Sequence, residues 1–428
     1  MSKTMYLHSL GCKVNAYETA SLATELEKDG YTRTDDIASA SVIILNTCSV
    51  TGRADQKSRQ HISSFRAKNP GATILVMGCY SQKHAEKCAE LGGDIVLGSA
   101  NRSKAAEYIK SFQNNGKKIV DVKSSVRHEK YEELGSTAFC ENARAYLKIQ
   151  DGCDNFCSYC FIPQLRGNSR SREPRDVVEE ASALVAKGYK EIVITGIHIG
   201  AYGKDLGDGS YRLSSLLKSI LNKCPELYRL RISSIEESEI DDDFLRLLAN
   251  YPAIVDHLHI PLQSGSASIL ASMKRHYDTD AFLAKLSSIR AIRPDIAITT
   301  DVIAGYPGET DEQWEETKEF CRKADFAEIH VFPFSPRPGT YAASLKDTDP
   351  RIKKARVHEL LEISKAHRSA YEKRFYGQEL EVLFEEYSEA DHLAYGHTSN
   401  YLLVKVPANA PMHGCVRKII YDDKTASD

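Results

Sequence analysis

The chain has 428 residues, room at roughly 150 residues per domain for about three domains and several buried cores. Hydrophobic residues make up 42% and charged residues 27%, a globular balance that excludes a disordered or fibrous chain, and no apolar run approaches the ~18 residues of a membrane span. A net charge of −3 argues against nonspecific wrapping of nucleic acid and leaves room for a local basic site. The N-terminal MSKTMYLHSLGCKVN lacks an export signal's apolar core, so a cytoplasmic location and no membrane partner are expected. In that compartment the eleven cysteines stay reduced.

The first segment repeats one pattern three times: MYLHSLGC (Met5 to Cys12), SVIILNTC (Ser41 to Cys48) and ATILVMGC (Ala72 to Cys79), each a strand-like run ending in cysteine. Helical stretches such as Tyr17 to Lys28 and Asp55 to Lys68 lie between them, which predicts a parallel α/β sandwich over residues 1–113. Ligands of such sheets sit beyond the carboxyl ends of the strands, where each cysteine falls. Residues 114–142 are polar and read as a linker.

Six apolar runs with helical material between them then span residues 143–346: AYLKI, EIVITGI, YRLRISS, HLHIPLQ, AITTDVIAG and EIHVFPFS. Six strands are too few for a closed eight-stranded barrel, so an open, incomplete (β/α) barrel is predicted, with its chemistry after the strands. Residues 347–371 read as a helical connector with Val357, Leu360, Leu361 and Ser364 on one face. In 372–428, ELEVLFEE, AYGHTSNYLLVKV and CVRKIIYDD alternate in the β manner, with turns at Gly396 and from Pro407 to Pro411, predicting a small antiparallel barrel. Residues 372–428 hold six Lys or Arg against ten Asp or Glu, so RNA binding there would need a local patch and stacked aromatics such as Tyr395 and Tyr401.

Cys153, Cys157 and Cys160 form a CxxxCxxC motif directly after AYLKIQDG. Three thiolates can hold three irons of a four-iron cluster, leaving the fourth open to substrate. A structural zinc site would want a further Cys or His nearby, and His128 and His198 are distant candidates.

The motif, with Tyr159 before its last cysteine, resembles the radical S-adenosylmethionine (SAM) enzymes. In those enzymes SAM chelates the open iron and is cleaved to a 5′-deoxyadenosyl radical, the cofactor carrying the radical chemistry while the protein orients and shields it. With the GC…NTC…GC segment before it and the small β-domain after it, essentially the whole chain resembles the methylthiotransferases, whose last domain is of the TRAM type. That resemblance implies that Cys12, Cys48 and Cys79 hold a second, auxiliary 4Fe-4S cluster. Inert buried cysteines are the alternative. Cys88, Cys140, Cys224, Cys321 and Cys415 read as core or surface thiols. The resemblance further implies two uses of SAM, one methylating a sulfur at the auxiliary cluster and one yielding the radical that abstracts hydrogen from an unactivated carbon.

SAM needs polar groups at strand ends and glycines for close approach. Gly305, Gly308 and Glu309 in AGYPGET resemble the family's GxPGE segment, although a Pro-Gly turn also accounts for them. Glu236 and Gln263 follow strands and resemble SAM or substrate contacts. Arg166, Arg170 and Arg172 form a basic run suited to the SAM carboxylate or to phosphate, with Arg170 the SAM candidate. Arg53, Lys57 and Arg59 lie in a basic helical stretch that can meet an RNA backbone. His257 and His259 alternate within a strand, one of them facing a core, and neither is assigned a role.

GCKVNAYET and NTCSVTGRADQKSRQ resemble the bacterial branch acting on N6-threonylcarbamoyladenosine in tRNA; the isopentenyladenosine branch shows a GCQMN-like box and the ribosomal-protein branch GCPKN. The expected activity is methylthiolation at C2 of threonylcarbamoyladenosine at tRNA position 37, with two 4Fe-4S clusters, SAM, an electron donor such as flavodoxin or ferredoxin, and a sulfur source. Methylthiolation of a ribosomal-protein aspartate or of isopentenyladenosine tRNA is the near alternative. A redox-sensing, RNA-binding cluster protein is the alternative of another class.

Overall fold

The computed structural model describes residues 3–135 and 143–427, so Cys140 and the end of the polar linker lie outside the described residues. The first sheet has six parallel strands, β1 (Thr4–Ser9), β2 (Thr32–Arg33), β3 (Val42–Thr47), β4 (Thr73–Gly78), β5 (Ile95–Leu97) and β6 (Ile119–Asp121), in spatial order β2-β1-β3-β4-β5-β6. Every residue of β3 and β4 is buried, because helices cover both faces of the sheet. Met5, Val42, Ile44, Leu75 and Met77 pack on Leu22, Leu26 and Ile109; Ile43, Leu45, Ile74 and Val76 pack on Ile62 and Phe65. The sheet also takes up Ile119–Asp121, which the sequence assigned to a linker: a three-residue edge strand flanked by charge is too short to register as one.

Six parallel strands follow in chain order: β7 (Arg144–Lys148), then, after the two-residue strands β8 (Gln150–Asp151) and β9 (Arg170–Ser171), β10 (Glu191–Thr195), β11 (Arg229–Ile232), β12 (His257–His259), β13 (Ala297–Ala304) and β14 (Glu328–Pro333). They form two three-stranded sheets joined where Leu230 N donates to Ala253 O (2.7 Å) and Val255 N to Leu230 O (3.2 Å), giving the open six-stranded barrel expected. The alternation of the pleat puts Leu147, Ile192, Ile194, Leu230, Ile232, Leu258 and Ile298 into one core under the helices. Arg144, Tyr146, Glu191, Arg231, His259, Asp301 and His330 therefore line the concave side. β8 and β9 pair antiparallel and clasp the base of the loop that carries Cys153, Cys157 and Cys160.

The helix Pro350–Lys373 starts on Asp349, whose carboxylate accepts from Arg351 N. It buries Leu360 and Ser364, but Leu361 faces solvent and is not part of the buried face. The last domain has antiparallel strands β15 (Glu379–Ser388), β16 (Leu393–Thr398), β17 (Leu403–Pro407) and β18 (Val416–Ile420) in order β17-β16-β15-β18. Lys405 N donates to Thr425 O (2.8 Å) and Ser427 N to Leu403 O (3.2 Å), so the chain end occupies the free edge of β17 and the sheet curls closed. Gly396 is not a turn. It sits inside β16 opposite a bulge, where a Cβ would come within 2.4 Å of Leu383 O. Among the described residues, no helix is long and apolar enough to cross a membrane.

Candidate active site

β1, β3 and β4 are neighbours, and their carboxyl ends bring three cysteines to one edge of the first sheet. Cys12 is the N-cap of the helix Lys13–Lys28, Cys48 follows β3, and Cys79 opens the helix Cys79–Lys83. Gly11, at φ +93°, lies so close to Cys48 that a Cβ there would fall 2.7 Å from its sulfur. The three thiols lie within electrostatic reach of one another.

The second triad is local. Cys153 N donates to Gly167 O (3.0 Å), Cys160 N to Cys157 O (3.0 Å) and Asn155 N to Cys153 Sγ (3.5 Å). Ser158 pins the loop to the barrel, its N–H on Met273 O (3.0 Å) and its hydroxyl on Tyr306 OH (2.8 Å). Tyr159 packs beside Tyr306, Met273 and Phe334. Arg275 donates from Nη1 to Cys157 Sγ (3.5 Å) and to Glu236 Oε1 (2.8 Å), and Asn155 Nδ2 reaches the same carboxylate (2.9 Å). Arg275 Nη2 is buried without a partner among the described residues. His198 Nε2 lies 2.6 Å from Glu239 Oε1; burial lowers its pKa, but Cys153 and Glu239 outweigh that and raise it to about 10.

A buried charge network joins the two regions. Arg166, fully buried at the end of the helix Ile162–Arg166 that follows Cys160, donates to Cys79 Sγ (3.4 Å), Glu18 Oε1 (2.5 Å) and Asn15 Oδ1 (2.7 Å). Glu18 also binds Arg102 and Lys148 (2.8 Å), and Asp151 binds Lys148 (2.7 Å), Arg166 (3.3 Å) and Arg170 (3.4 Å). Burial alone would raise the pKa of both carboxyls; Arg102, Arg166 and Lys148 at Glu18, and Lys148, Arg166, Arg170 and Arg102 at Asp151, hold them ionised and well below the usual range. Cations outnumber carboxylates here, which suits an anionic group at the thiols.

The donors fit iron–sulfur clusters. Burial pushes the Cys48 thiol up to about 11 and Cys160 to about 12, so each ionises readily only when a metal replaces its proton. Both triads carry N–H donors directed at sulfur, the pattern that tunes thiolate-bound clusters. Among the described residues, no three His, Cys, Asp or Glu side chains converge on a single ion; a four-iron cluster spreads its thiolates wider than one ion does.

Other expected site residues fall as follows. Arg170 gives its guanidinium to Asp151 and to the carbonyls of Arg166 and Asn168, and Arg172 to Glu133 and Glu180, so the basic run is a buried brace and not a phosphate-facing strip. Glu309 accepts from Gly305 N (3.0 Å) and Arg356 Nη1 (2.7 Å) while its Oε1 is buried without a partner among the described residues. A Cβ on Gly305 would meet Lys353 Cγ at 2.5 Å, whereas Gly308 (φ +84°) has open space beside it. Gln263, at φ +68°, extends the β12–β13 pairing through Asp301 O and Ile303 N. Arg53 and Lys57 are exposed on the helix Gly52–Lys68, and Arg59 lies over the Tyr80 ring. Tyr395 is half-buried in β16. Tyr401 is already engaged: its ring stacks with those of His257 and His397, at centroid distances of 4.9 and 4.5 Å, and the Arg231 guanidinium lies over it. His257 and His259 share one face, both bonded to Thr299 Oγ1, because residues two apart on a strand point the same way. Lys148, Glu18, Asp151, Arg102 and Arg275 escaped sequence reasoning, being scattered single charges with no motif.

Residues 4–98 match the Uncharacterized protein family UPF0004 and residues 147–321 the Radical SAM superfamily. A Threonylcarbamoyladenosine tRNA methylthiotransferase MtaB from Bacillus subtilis is 42% identical, over 97% of this chain and 93% of its own. The Thermotoga maritima protein of the same name is 40% identical over 90% of this chain and 87% of its own. A tRNA-2-methylthio-N(6)-dimethylallyladenosine synthase from Bacillus licheniformis is 34% identical over 94% and 80%. In fold, the radical S-adenosylmethionine methyltransferase TsrM from Kitasatospora setae superposes with a TM-score of 0.59 at 17% identity, over 80% of this chain and 77% of that one. With three thiols ending the N-terminal strands, three more at the mouth of an open barrel, and this similarity along nearly the whole chain, the protein belongs to the radical SAM methylthiotransferase family.

Proposed function

We propose that the protein adds a methylthio group to C2 of N6-threonylcarbamoyladenosine at position 37 of tRNA, with one 4Fe-4S cluster on Cys12, Cys48 and Cys79 and another on Cys153, Cys157 and Cys160. The observation that carries this reading is Arg166, which ends the helix directly after the second triad and donates to Cys79 of the first, tying the two thiol sets through one buried network. The substrate follows relatives that share 40% identity or more. When bound, the clusters and SAM supply a carbon-centred radical and the methyl and sulfur that are transferred.

The chain's own residues position and shield. Arg275 and Asn155 hold Glu236 beside Cys157, Tyr159 and Tyr306 pack the loop against the barrel, and Gly308 leaves room for SAM to approach. Glu236, Gln263 and the Gly305–Glu309 segment frame the SAM side of the mouth, Arg170 acting through the loop base. Arg53, Lys57 and Arg59, with Tyr395, meet the tRNA, and a soluble low-potential donor such as flavodoxin or ferredoxin delivers electrons. The enzyme works in the cytoplasm on a sulfur source of the host.

Mass spectrometry of tRNA nucleosides from cells lacking the protein, with and without complementation, tests this. Loss and restoration of 2-methylthio-threonylcarbamoyladenosine is the expected result. Unchanged tRNA overturns it and moves the search to ribosomal proteins.

A further inference from the structure

The concave side of the barrel carries more positive charge than its own carboxylates match. Glu191 takes Arg231 at 2.6 and 3.1 Å and has Arg229 and Arg144 at 3.8 and 3.9 Å, so three guanidiniums share one carboxylate. Arg144 has a second partner, Glu385, which His397 also engages at 3.2 Å. Arg229 spends its remaining donors on the carbonyls of His397 and Glu381. Arg231 is 2% exposed, yet its Nη1 has no partner among the described residues. The Tyr401 ring lies 4.6 Å from its guanidinium and 5.7 Å from that of Arg144, and His257 Nδ1 beside them is also unpaired.

Lys13 adds a fourth cation. The helix that it opens packs against β7, as the Glu18–Lys148 pair shows, and its ammonium lies within electrostatic reach of Arg144, Arg231 and Glu191. It is open to solvent and has no carboxylate within ion-pair distance among the described residues. Farther along the wall, Asp301 lies 3.2 Å from His259 Nε2. Four cations thus face three carboxylates, Glu191, Glu385 and Asp301, and a partly dry excess of positive charge is stabilised by an anion. Guanidinium forks favour a planar carboxylate, and Lys13 adjoins Cys12, so an anion held there is beside the first triad.

We propose that Lys13, backed by Arg231 and Arg144, binds the carboxylate of the amino-acid substituent on the substrate adenosine. This deepens the reading above and rests on it: threonylcarbamoyladenosine carries a free carboxylate, whereas an isopentenyl group offers none. Selection by a buried charged site is steep, because the neutral analogue leaves the cations unpaired.

The test uses full-length, cluster-reconstituted protein under anaerobic conditions and two labelled anticodon stem-loops, one carrying threonylcarbamoyladenosine and one carrying the same group as its neutral primary amide. Fluorescence anisotropy should show the carboxylate form binding at least about tenfold tighter, the effect of one charge-assisted hydrogen bond. Lys13→Gln should erase most of that preference and leave the amide form's affinity unchanged, while Lys13→Arg should retain it. Equal affinities in the wild type, or a full preference in Lys13→Gln, overturn the inference. Equal weakening of both RNAs by Lys13→Gln assigns the charge to backbone phosphate and overturns it too. Failure of the function itself shows separately, as unmodified tRNA in complemented cells.

Discussion

The two cysteine triads reach similar donor sets by opposite routes. The loop triad closes within a few residues, through Cys160 N on Cys157 O and Cys153 N on Gly167 O, so its geometry is written in one stretch of chain. The sheet triad has no local closure; parallel register does the work, with Ser9 opposite Asn46 and Thr47 opposite Gly78 setting its three strand ends side by side. A compact loop tolerates change elsewhere in the fold, whereas a site assembled from strand ends is as stable as the sheet beneath it. Arg166 is where the two designs meet.

The sharpest way to separate them is by reaction product. Cys157→Ala should reduce 5′-deoxyadenosine formation to background, while Cys48→Ala should retain it and lose methylthio transfer, both read by chromatography of single-turnover mixtures. Wild-type transfer in the Cys48 variant would refute the division of labour. Next in size, Arg166→Ala leaves Glu18 and Asp151 with fewer cations in a dry network, and thermal unfolding should show a loss of roughly 3–5 kcal/mol. A stability change confined to a few tenths would show that the regions are not tied there.

Glu309 tests the barrel side through pH. Burial raises its pKa from 4.5 to about 7 despite Arg356 and Gly305 N, so the folded state holds the proton more tightly than the unfolded one. Its contribution is therefore fully present below about pH 4.5 and fades as pH rises through about 7. Measured by denaturant melts, the stability of wild type relative to Glu309→Gln should fall over that window; a constant difference rules the assignment out. Tyr306→Phe removes the hydroxyl bonded to Ser158 in the loop triad and should cost about 1 kcal/mol without disturbing the sheet triad's cluster spectrum. Smallest of all, Lys57→Ala should lower the salt slope of tRNA binding by ~0.7–0.9 if that lysine meets one phosphate, and an unchanged slope would remove the helix Gly52–Lys68 from the RNA face.

Much of this architecture was legible because it rests on short-range pattern. β1, β3, β4 and all six barrel strands announce themselves as apolar runs, and the strands of the last domain by alternation. Two of the features that misled show why. AYGHTSNYLLVKV reads as one run but folds as β16 and β17, reversing where Tyr401 adopts φ +66°. Arg166, Arg170 and Arg172 read as an anion-binding strip, and each is instead consumed by carboxylates and carbonyls, some near in sequence such as Arg166 O and Glu180 and others distant such as Glu18 and Glu133.

The sequence by itself determined the cysteine chemistry, the strand and helix alternation, and the order of the three segments, because spacing and periodicity are local properties of a chain. Only the tertiary structure decided which charges are buried, that the Tyr401 ring stacks with those of His257 and His397, and that Arg144, Arg229 and Arg231 gather around Glu191. Those outcomes depend on desolvation and on partners from distant segments, and neither has a signature in the neighbouring residues.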